Sequence, residues 1–323
     1  MIAKNRSIPK EIRIYEAIVR RLPVNHPRKT EFENKLSRKR AGYKGEKELD
    51  YHVSQIDHSK FTILHDIRIP YNETHFQIDT LFISNSFIIP IDSKYYAGTL
   101  EFYPEFNQMI QYLNGNEKVY PDPILQTKIQ GRQLKAFLTS HQFSPPPFEP
   151  LVAITNSQAL IKNPTKNKEV SQRVFKSPGI FYKINPFLEK YHKEIITNQD
   201  IKKMVKLLLR KHTPYLPELK ELPFSDFQKG VECPACHTIG MERFHGLWGC
   251  KKCGHTSKDA HVAALKDFFL INGPSISNAQ FSDFLNISSI HQSKRLLSAL
   301  DLESTGSTKG RIYTPDKNFR LWE

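Results

Sequence analysis

Cysteine is nearly absent: the 323-residue chain has four, at positions 233, 236, 250 and 253. A disulfide framework spreads its cysteines over the fold and needs an oxidising compartment. Four cysteines in one short segment exclude that framework and read as a metal site. Long apolar runs are missing too. The longest, such as Phe87–Ile91, are strand-sized and fall well short of the ~18 residues of a membrane span. Lys4, Arg6, Lys10, Glu11 and Arg13 break up the N-terminus, which leaves no apolar signal core. Internal repeats and long low-complexity tracts are lacking. These absences predict a soluble, cytoplasmic protein with no membrane partner.

What is abundant is positive charge. Lys and Arg number 47 against 33 Asp and Glu, a formal net charge of +14 with a pI near 9.5. Such a balance predicts a polyanion partner, and nucleic acid is the commonest one. At 39% hydrophobic residues the chain can build a real core. Its length suits two or three domains.

Helical patterns cover residues 8–22 and 31–57, the second with a basic run of Lys35, Arg38, Lys39, Arg40 and Lys44. Three strands are predicted over 61–69, 74–83 and 87–96, and two shorter ones over 101–119 around Gly115. Helical character returns at 122–141, then strands at 151–155 and 179–184, and helices at 186–196 and 199–212. Three prolines, Pro214, Pro217 and Pro223, mark a semi-rigid linker.

The strand Phe76–Ile83 carries Asp79 in its middle, and the next strand carries Asp92 and Lys94. With Asn85-Ser86 as a two-residue loop, Ser84 pairs with Phe87. Counting outward then sets Asp79 opposite Asp92 and Gln77 opposite Lys94, all on one face. Two facing carboxylates among apolar strands repel unless a cation lies between them. Oxygen-ligated Mg²⁺ fits that role. Lys94 is placed to orient or deprotonate a water, or to stabilise phosphate charge.

On the helix ending near Ile56, Leu49, Val53 and Ile56 define a buried face. Gly42, Gly45 and Glu46 fall near it, and the glycines allow close approach to the sheet. Glu48 points away, so Glu46 is the acid expected to lean inward. In the later helix Gln126, Gln130, Gln133 and Phe137 form one stripe. Gln126 is the member assigned to the site; Gln130 and Gln133 read as a solvated face.

These pieces resemble the PD-(D/E)XK nuclease superfamily and, within it, the nuclease-related domain family (NERD). Gly45-Glu46 resembles the family's G-E, Gln77-Ile78-Asp79 its q-I-D strand, Asp92-Ser93-Lys94 its E-x-K, Gly98 its following glycine, and Asp122-Pro123-Ile124-Leu125-Gln126 its N-P-x-x-Q helix start. The match covers about residues 40–140. Asp92 replaces the usual Glu and Asp122 the usual Asn. The resemblance implies an α/β fold, a mixed β-sheet flanked by helices in a restriction-endonuclease-like core. It also implies phosphodiester hydrolysis dependent on Mg²⁺ or Mn²⁺ held by Glu46, Asp79 and Asp92, with Lys94 and Gln126 completing the catalytic set.

Cys233-Pro234-Ala235-Cys236, thirteen intervening residues and Cys250-Lys251-Lys252-Cys253-Gly254 form two knuckles that together complete a tetrahedral Zn²⁺ site. The pattern resembles a zinc ribbon. Four thiolates leave no open position, so the zinc is expected to be structural. About thirty residues bury little core alone, so metal binding is expected to supply folding energy. Arg243, Lys251 and Lys252 add local positive charge. Beyond it, residues 277–286 and 288–299 read as short helices, followed by a turn at 304–306 and a strand at 309–313. This resembles a winged helix-turn-helix, whose second helix presents Lys294 and Arg295 and whose wing presents Lys309 and Arg311.

The expected domains are residues 1–213 (nuclease-like), 214–230 (linker), 231–258 (zinc ribbon) and 273–323 (winged-helix-like). The expected function is a metal-dependent nuclease, with DNA ahead of RNA as substrate. The competing reading is a non-catalytic nucleic-acid-binding regulator or adaptor on a nuclease-like scaffold. For the last unit the competing role is protein interaction or dimerisation. The sequence leaves homo-oligomerisation open.

Overall fold

The structure is a computed structural model that describes residues 1–219, 222–316 and 318–322, with the side chain of Lys309 outside the described residues. The chain divides into two compact units, residues 1–7 with 40–215 and residues 8–39 with 216–323. The sequence reading grouped residues 8–39 with the nuclease-like part; the structure gathers them with the C-terminal half. A buried charge pair accounts for this. Arg21, fully buried, donates through Nε to Asp267 at 2.8 Å and through Nη1 to the Gly230 carbonyl at 2.7 Å. A contact so distant in sequence leaves no local pattern.

The first half of the chain runs β1 (Ile2–Lys4), α1 (Lys10–Arg21), α2 (Lys29–Ser54), β2 (Thr62–Tyr71), β3 (Thr74–Ile83), β4 (Ile88–Lys94), β5 (Thr99–Tyr103), β6 (Gln108–Leu113), β7 (Asn116–Pro121), α3 (Pro123–Ser140), β8 (Leu151–Ile154), β9 (Leu160–Lys162), α4 (Lys168–Arg173), β10 (Val174–Lys176), α5 (Ile180–Lys190) and α6 (Asn198–Lys211). A six-stranded mixed sheet has the order β1-β2-β3-β4-β8-β10. Hairpins join β2, β3 and β4, whereas β8 pairs with β4 in parallel after the α3 crossover. Helices cover both faces. Leu134, Phe137 and Leu138 of α3 and Met204 and Leu208 of α6 pack with Leu64, Ile67, Ile78 and Leu81. On the other side Leu49 and Val53 of α2 and Ile180 and Ile184 of α5 pack with Ile63, Phe82, Ile89 and Ile91. This is the α/β class that the resemblance implied.

Two local readings need correction. Residues 179–184 are not a strand: Ile180 opens α5. Ile180, Ile184, Phe187 and Tyr191 recur at i, i+4, i+7 and i+11, and this helical stripe outweighs their β-rich composition. Residues 99–121 hold three strands rather than two, β5–β7, with turns at Asn107 and at Asn114-Gly115, all at positive φ.

The second half adds β11 (Val231–Glu232), β12 (Ile239–Phe244), β13 (Leu247–Gly249), β14 (Thr256–Ser257), α7 (Ala260–Asn272), β15 (Ile276–Ser277), α8 (Asn278–Phe284), α9 (Ile290–Ser298), β16 (Leu302–Thr305) and β17 (Ile312–Pro315). β11–β14 form one sheet and β15-β17-β16 another. The sequence reading left α7 unassigned. It is the centre of this half: Val231, Met241 and Trp248 share one core with Leu265, Phe268, Phe281, Phe284 and Leu297. The cysteine segment therefore does not stand on thirty residues alone.

Candidate active site

The β3–β4 ladder runs from Ile83↔Ile88 to Thr80↔Ile91, and the Ser84 N–H bonds the Phe87 carbonyl at 3.0 Å. Continued by one step, this register puts Asp79 opposite Asp92, as counted from the sequence. Backbone pairing lapses at that step, and the Asp79 carboxylate instead accepts from the Ser93 N–H at 2.8 Å. The β2–β3 ladder lapses at the same place: it contains His65↔Thr80 and Ile67↔Ile78 but skips Asp66 and Asp79. Asp66 has φ of 51°, a left-handed conformation inside a strand. Side chains satisfy the freed carbonyls. Arg6 Nη2 donates to the Asp79 carbonyl at 2.7 Å, and Lys4 Nζ donates to those of His65 and Asp66, both at 2.8 Å.

Asp92 is 4% exposed, and Lys94 Nζ lies 2.8 Å from its Oδ2. Burial is the largest influence on both aspartates. It raises Asp79 to about 6, helped by the neighbouring Asp92, and raises Asp92 against the pull of Lys94. Burial works against the Lys94 ammonium, but Asp92 and Asp79 outweigh it and hold its pKa above the usual lysine value. Lys94 also donates to Gln126 Oε1 at 3.0 Å, which joins β4 to α3. Gln77, expected beside Lys94, instead donates to Asp66 Oδ1 at 3.1 Å.

Helix α2 brings Glu46 to this cluster and leaves Glu48 exposed, as the buried Leu49–Val53 face implied. Gly45 is what permits the approach: a Cβ there would lie 2.5 Å from Thr155 Oγ1 and 2.7 Å from Tyr95 Cβ. Gly42, given the same role from sequence, faces open space. Glu46 is raised to about 8, first by burial and then by Asp79. Its partner is Arg6 Nη1 at 2.6 Å. Arg6 also binds Asp50 through Nε at 2.8 Å, and Asp50 pairs with His65 Nδ1 at 3.0 Å.

Sequence reasoning missed Arg6, Asp50, His65 and Asp66. Arg6 was read only as part of a charged N-terminus. Its one sequence signal is position, just after the short β-forming segment Ile2–Lys4 that pairs with β2.

The remaining motif residues have structural duties. Asp122 caps α3, its Oδ1 accepting from the Ile124 N–H at 2.9 Å, with Pro123 in the first turn. An Asp caps as well as an Asn there. Gly98 has φ of +77°, and a Cβ on it would sit 2.2 Å from the Tyr112 carbonyl oxygen. Gln130 is half-buried rather than solvated, and its Oε1 has no hydrogen-bond partner.

The four cysteines converge. Among the described residues they are the one group of three or more His, Cys, Asp or Glu whose ligand atoms all lie within 4.8 Å of one another. The oxygens of Glu46, Asp79 and Asp92 form no such group. Sγ–Sγ distances of 3.6 Å for Cys233–Cys253 and Cys236–Cys250 approach the edge of a tetrahedron built on ~2.3 Å Zn–S bonds. The two knuckles repeat each other. The His237 N–H bonds the Cys233 carbonyl and the Gly254 N–H bonds the Cys250 carbonyl, both at 2.9 Å. His237 and Gly254 both take positive φ, 56° and 74°. These four thiols suit a structural zinc ion.

Lys294 and Arg295 are exposed on α9. Lys294 and Arg311 line a hollow of about 570 Å³ with Asn278 and Tyr313. The side chain of Lys309 lies outside the described residues. No helix among them is long and apolar enough to cross a membrane.

Residues 41–155 match the family model described as nuclease-related domain, NERD. This segment, which holds Glu46, Asp79, Asp92, Lys94 and Gln126, therefore carries a nuclease-related domain. No curated protein and no solved structure matches the chain.

Proposed function

We propose that the chain is a divalent-metal-dependent nuclease that hydrolyses phosphodiester bonds, in DNA before RNA. The observation that carries this reading is the pair Asp79 and Asp92, on adjacent strands one step beyond the β3–β4 ladder and beside Lys94, inside the nuclease-related segment. The pKa values of Asp79 and Asp92, each raised first by burial, mark carboxylates that a bound cation would stabilise. Three hard carboxylate donors, Glu46, Asp79 and Asp92, suit Mg²⁺ or Mn²⁺. Bound there, the ion supplies Lewis acidity toward the phosphate and lowers the pKa of an attacking water.

The chain's own groups do the rest. Lys94, paired with Asp92, offers its charge to the phosphate and orients water. Gln126 fixes the ammonium. Glu46 joins the ligand set on release from Arg6.

Residues 231–258 act as a structural zinc ribbon. Residues 273–323, together with α7, have the order helix–strand–helix–helix–strand–strand of a winged helix. In that reading α9 with Lys294 and Arg295 faces nucleic acid, joined by Arg311 and Lys309 from the wing. The same unit favours a second reading, a non-catalytic regulator or adaptor. Supercoiled plasmid, linear duplex, single-stranded DNA and RNA, each with Mg²⁺, Mn²⁺ or EDTA, separate the two. Metal-dependent cleavage of any of them supports the nuclease; binding without cleavage supports the adaptor.

A further inference from the structure

Helix α3 has two working flanks. Gln126 faces Lys94 on one. On the other, Lys128, Arg132 and Lys135 form a row at i, i+4 and i+7, on the order of 10 Å long at the helical rise. This row lines a hollow of about 740 Å³ together with Pro145, Pro146, Pro147, Phe148 and Arg173. Arg173 also lines a second hollow of about 650 Å³, with Tyr182, Lys183 and Lys190. Arg173 thus lines both hollows, and the two together make one candidate groove.

The charges in this groove are not all committed to the fold. Lys128 pairs with Glu169, and Arg173 and Lys190 pair with Glu149. Arg132 and Lys135, both exposed, have no acidic partner among the described residues. The apolar surface of Pro145–Phe148 shares their hollow, and Tyr182, edge-on to Phe181, is 78% exposed.

We propose that this groove binds single-stranded nucleic acid, with phosphates along Arg132 and Lys135 and a base stacked on Tyr182. A duplex offers mainly phosphates to such a surface and leaves the ring and the proline wall without partners. An unpaired strand offers both charge and base faces, the combination that sequence-tolerant single-strand sites use. The inference rests on the nucleic-acid reading of the nuclease-related domain, and it places a strand contact on the flank of α3 away from Gln126.

The test uses the full chain carrying Asp79→Ala, so that binding is read without cleavage. Its affinities for oligothymidylate, oligouridylate and a hairpin duplex are titrated at several salt concentrations, alone and with R132E/K135E or Y182A added. R132E/K135E is expected to weaken single-strand binding at least about tenfold and to flatten the salt slope by about 0.7 per lost phosphate contact. Y182A is expected to weaken it about tenfold with the slope unchanged. Duplex affinity falls less in both. Comparable losses on the thymidine and uridine strands identify a site indifferent to the 2′-hydroxyl; loss on one alone identifies that strand as the ligand. Unchanged single-strand affinity and slope in R132E/K135E, while the parent binds, overturn the groove and leave the nuclease reading standing. A parent that binds none of the three, or that binds polyglutamate equally well through the same residues, overturns the groove and removes its basis in nucleic-acid binding. All three substituted side chains are exposed, and a circular dichroism spectrum matching the parent keeps folding out of the comparison.

Discussion

Arg6 Nη1 lies 2.6 Å from Glu46 Oε2, and the Arg6 side chain is only 3% exposed. A guanidinium carried by the N-terminal segment thus supplies the positive charge that an acid of the candidate metal site needs. Arg6 also serves the ionised Asp50 and the Asp79 carbonyl, and removing one partner of such a buried pair costs about 3–5 kcal/mol. Arg6→Met should therefore cost several kcal/mol in urea unfolding without divalent ions. Added Mn²⁺ should raise the melting temperature of the variant more than that of the wild type, because the ion replaces the lost charge. Equal Mn²⁺ shifts in the two proteins would show that Arg6 and the ion do not share Glu46.

Burial raises Asp79 to about 6 and Glu46 to about 8, against unfolded values near 3.9 and 4.3. At these two groups the folded state binds more protons than the unfolded one, so their contribution to stability falls as pH rises. The contribution is complete below about pH 4, and is lost through about 6 for Asp79 and about 8 for Glu46. Asp79→Asn keeps an acceptor for the Ser93 N–H and removes the titration. Its urea midpoint relative to wild type should rise between about pH 4 and 6 and level off above. The measurement omits Mg²⁺ and retains zinc. A difference flat across that window would mean that Asp79 titrates normally.

The cysteine cluster should hold one Zn²⁺ per chain. Because Trp248, 1% exposed, shares a core with Cys233 and Cys250, Cys233→Ser should lose zinc and shift Trp fluorescence towards that of exposed indole. Metal analysis and emission spectra check both. A zinc-free wild type, or a disulfide among these residues, contradicts the assignment.

The C-terminal unit calls for point substitutions. Cutting the chain after residue 258 would strip α7–α9 from the core that covers Met241 and Trp248. Lys294→Glu with Arg295→Glu, on the exposed side of α9, should weaken duplex binding and flatten its salt slope by about 0.9 per lost contact. Cleavage at saturating substrate should persist. Unchanged affinity and slope would favour a protein-interaction role for this unit.

Much of the candidate site's geometry was legible because strands alternate and hairpins count. Asn85-Ser86 sets a register, and Asp79, Asp92 and Lys94 follow from it. The Leu49–Val53 periodicity likewise separates Glu46 from Glu48. The backbone lapse at Asp66 and Asp79 was not legible, since it depends on side chains of Lys4 and Arg6 arriving from some sixty residues away in sequence. α7 escaped notice because it is apolar on most sides, which hides helical periodicity. α5 was misread because Ile, Phe and Tyr favour strands when taken singly.

The most direct measurement compares cleavage of a labelled nucleic acid by purified wild type, Asp79→Ala, Asp92→Ala, Glu46→Ala and Glu48→Ala in Mg²⁺ and in Mn²⁺. The account predicts metal-dependent cleavage by wild type and by Glu48→Ala. It predicts loss of at least about a hundredfold in both aspartate variants, in keeping with the several kcal/mol that a metal's charge stabilisation supplies, and a smaller but clear loss in Glu46→Ala. Nucleic-acid binding should be retained throughout. Undiminished turnover in Asp79→Ala or Asp92→Ala, or a larger loss in Glu48→Ala than in Glu46→Ala, would contradict it.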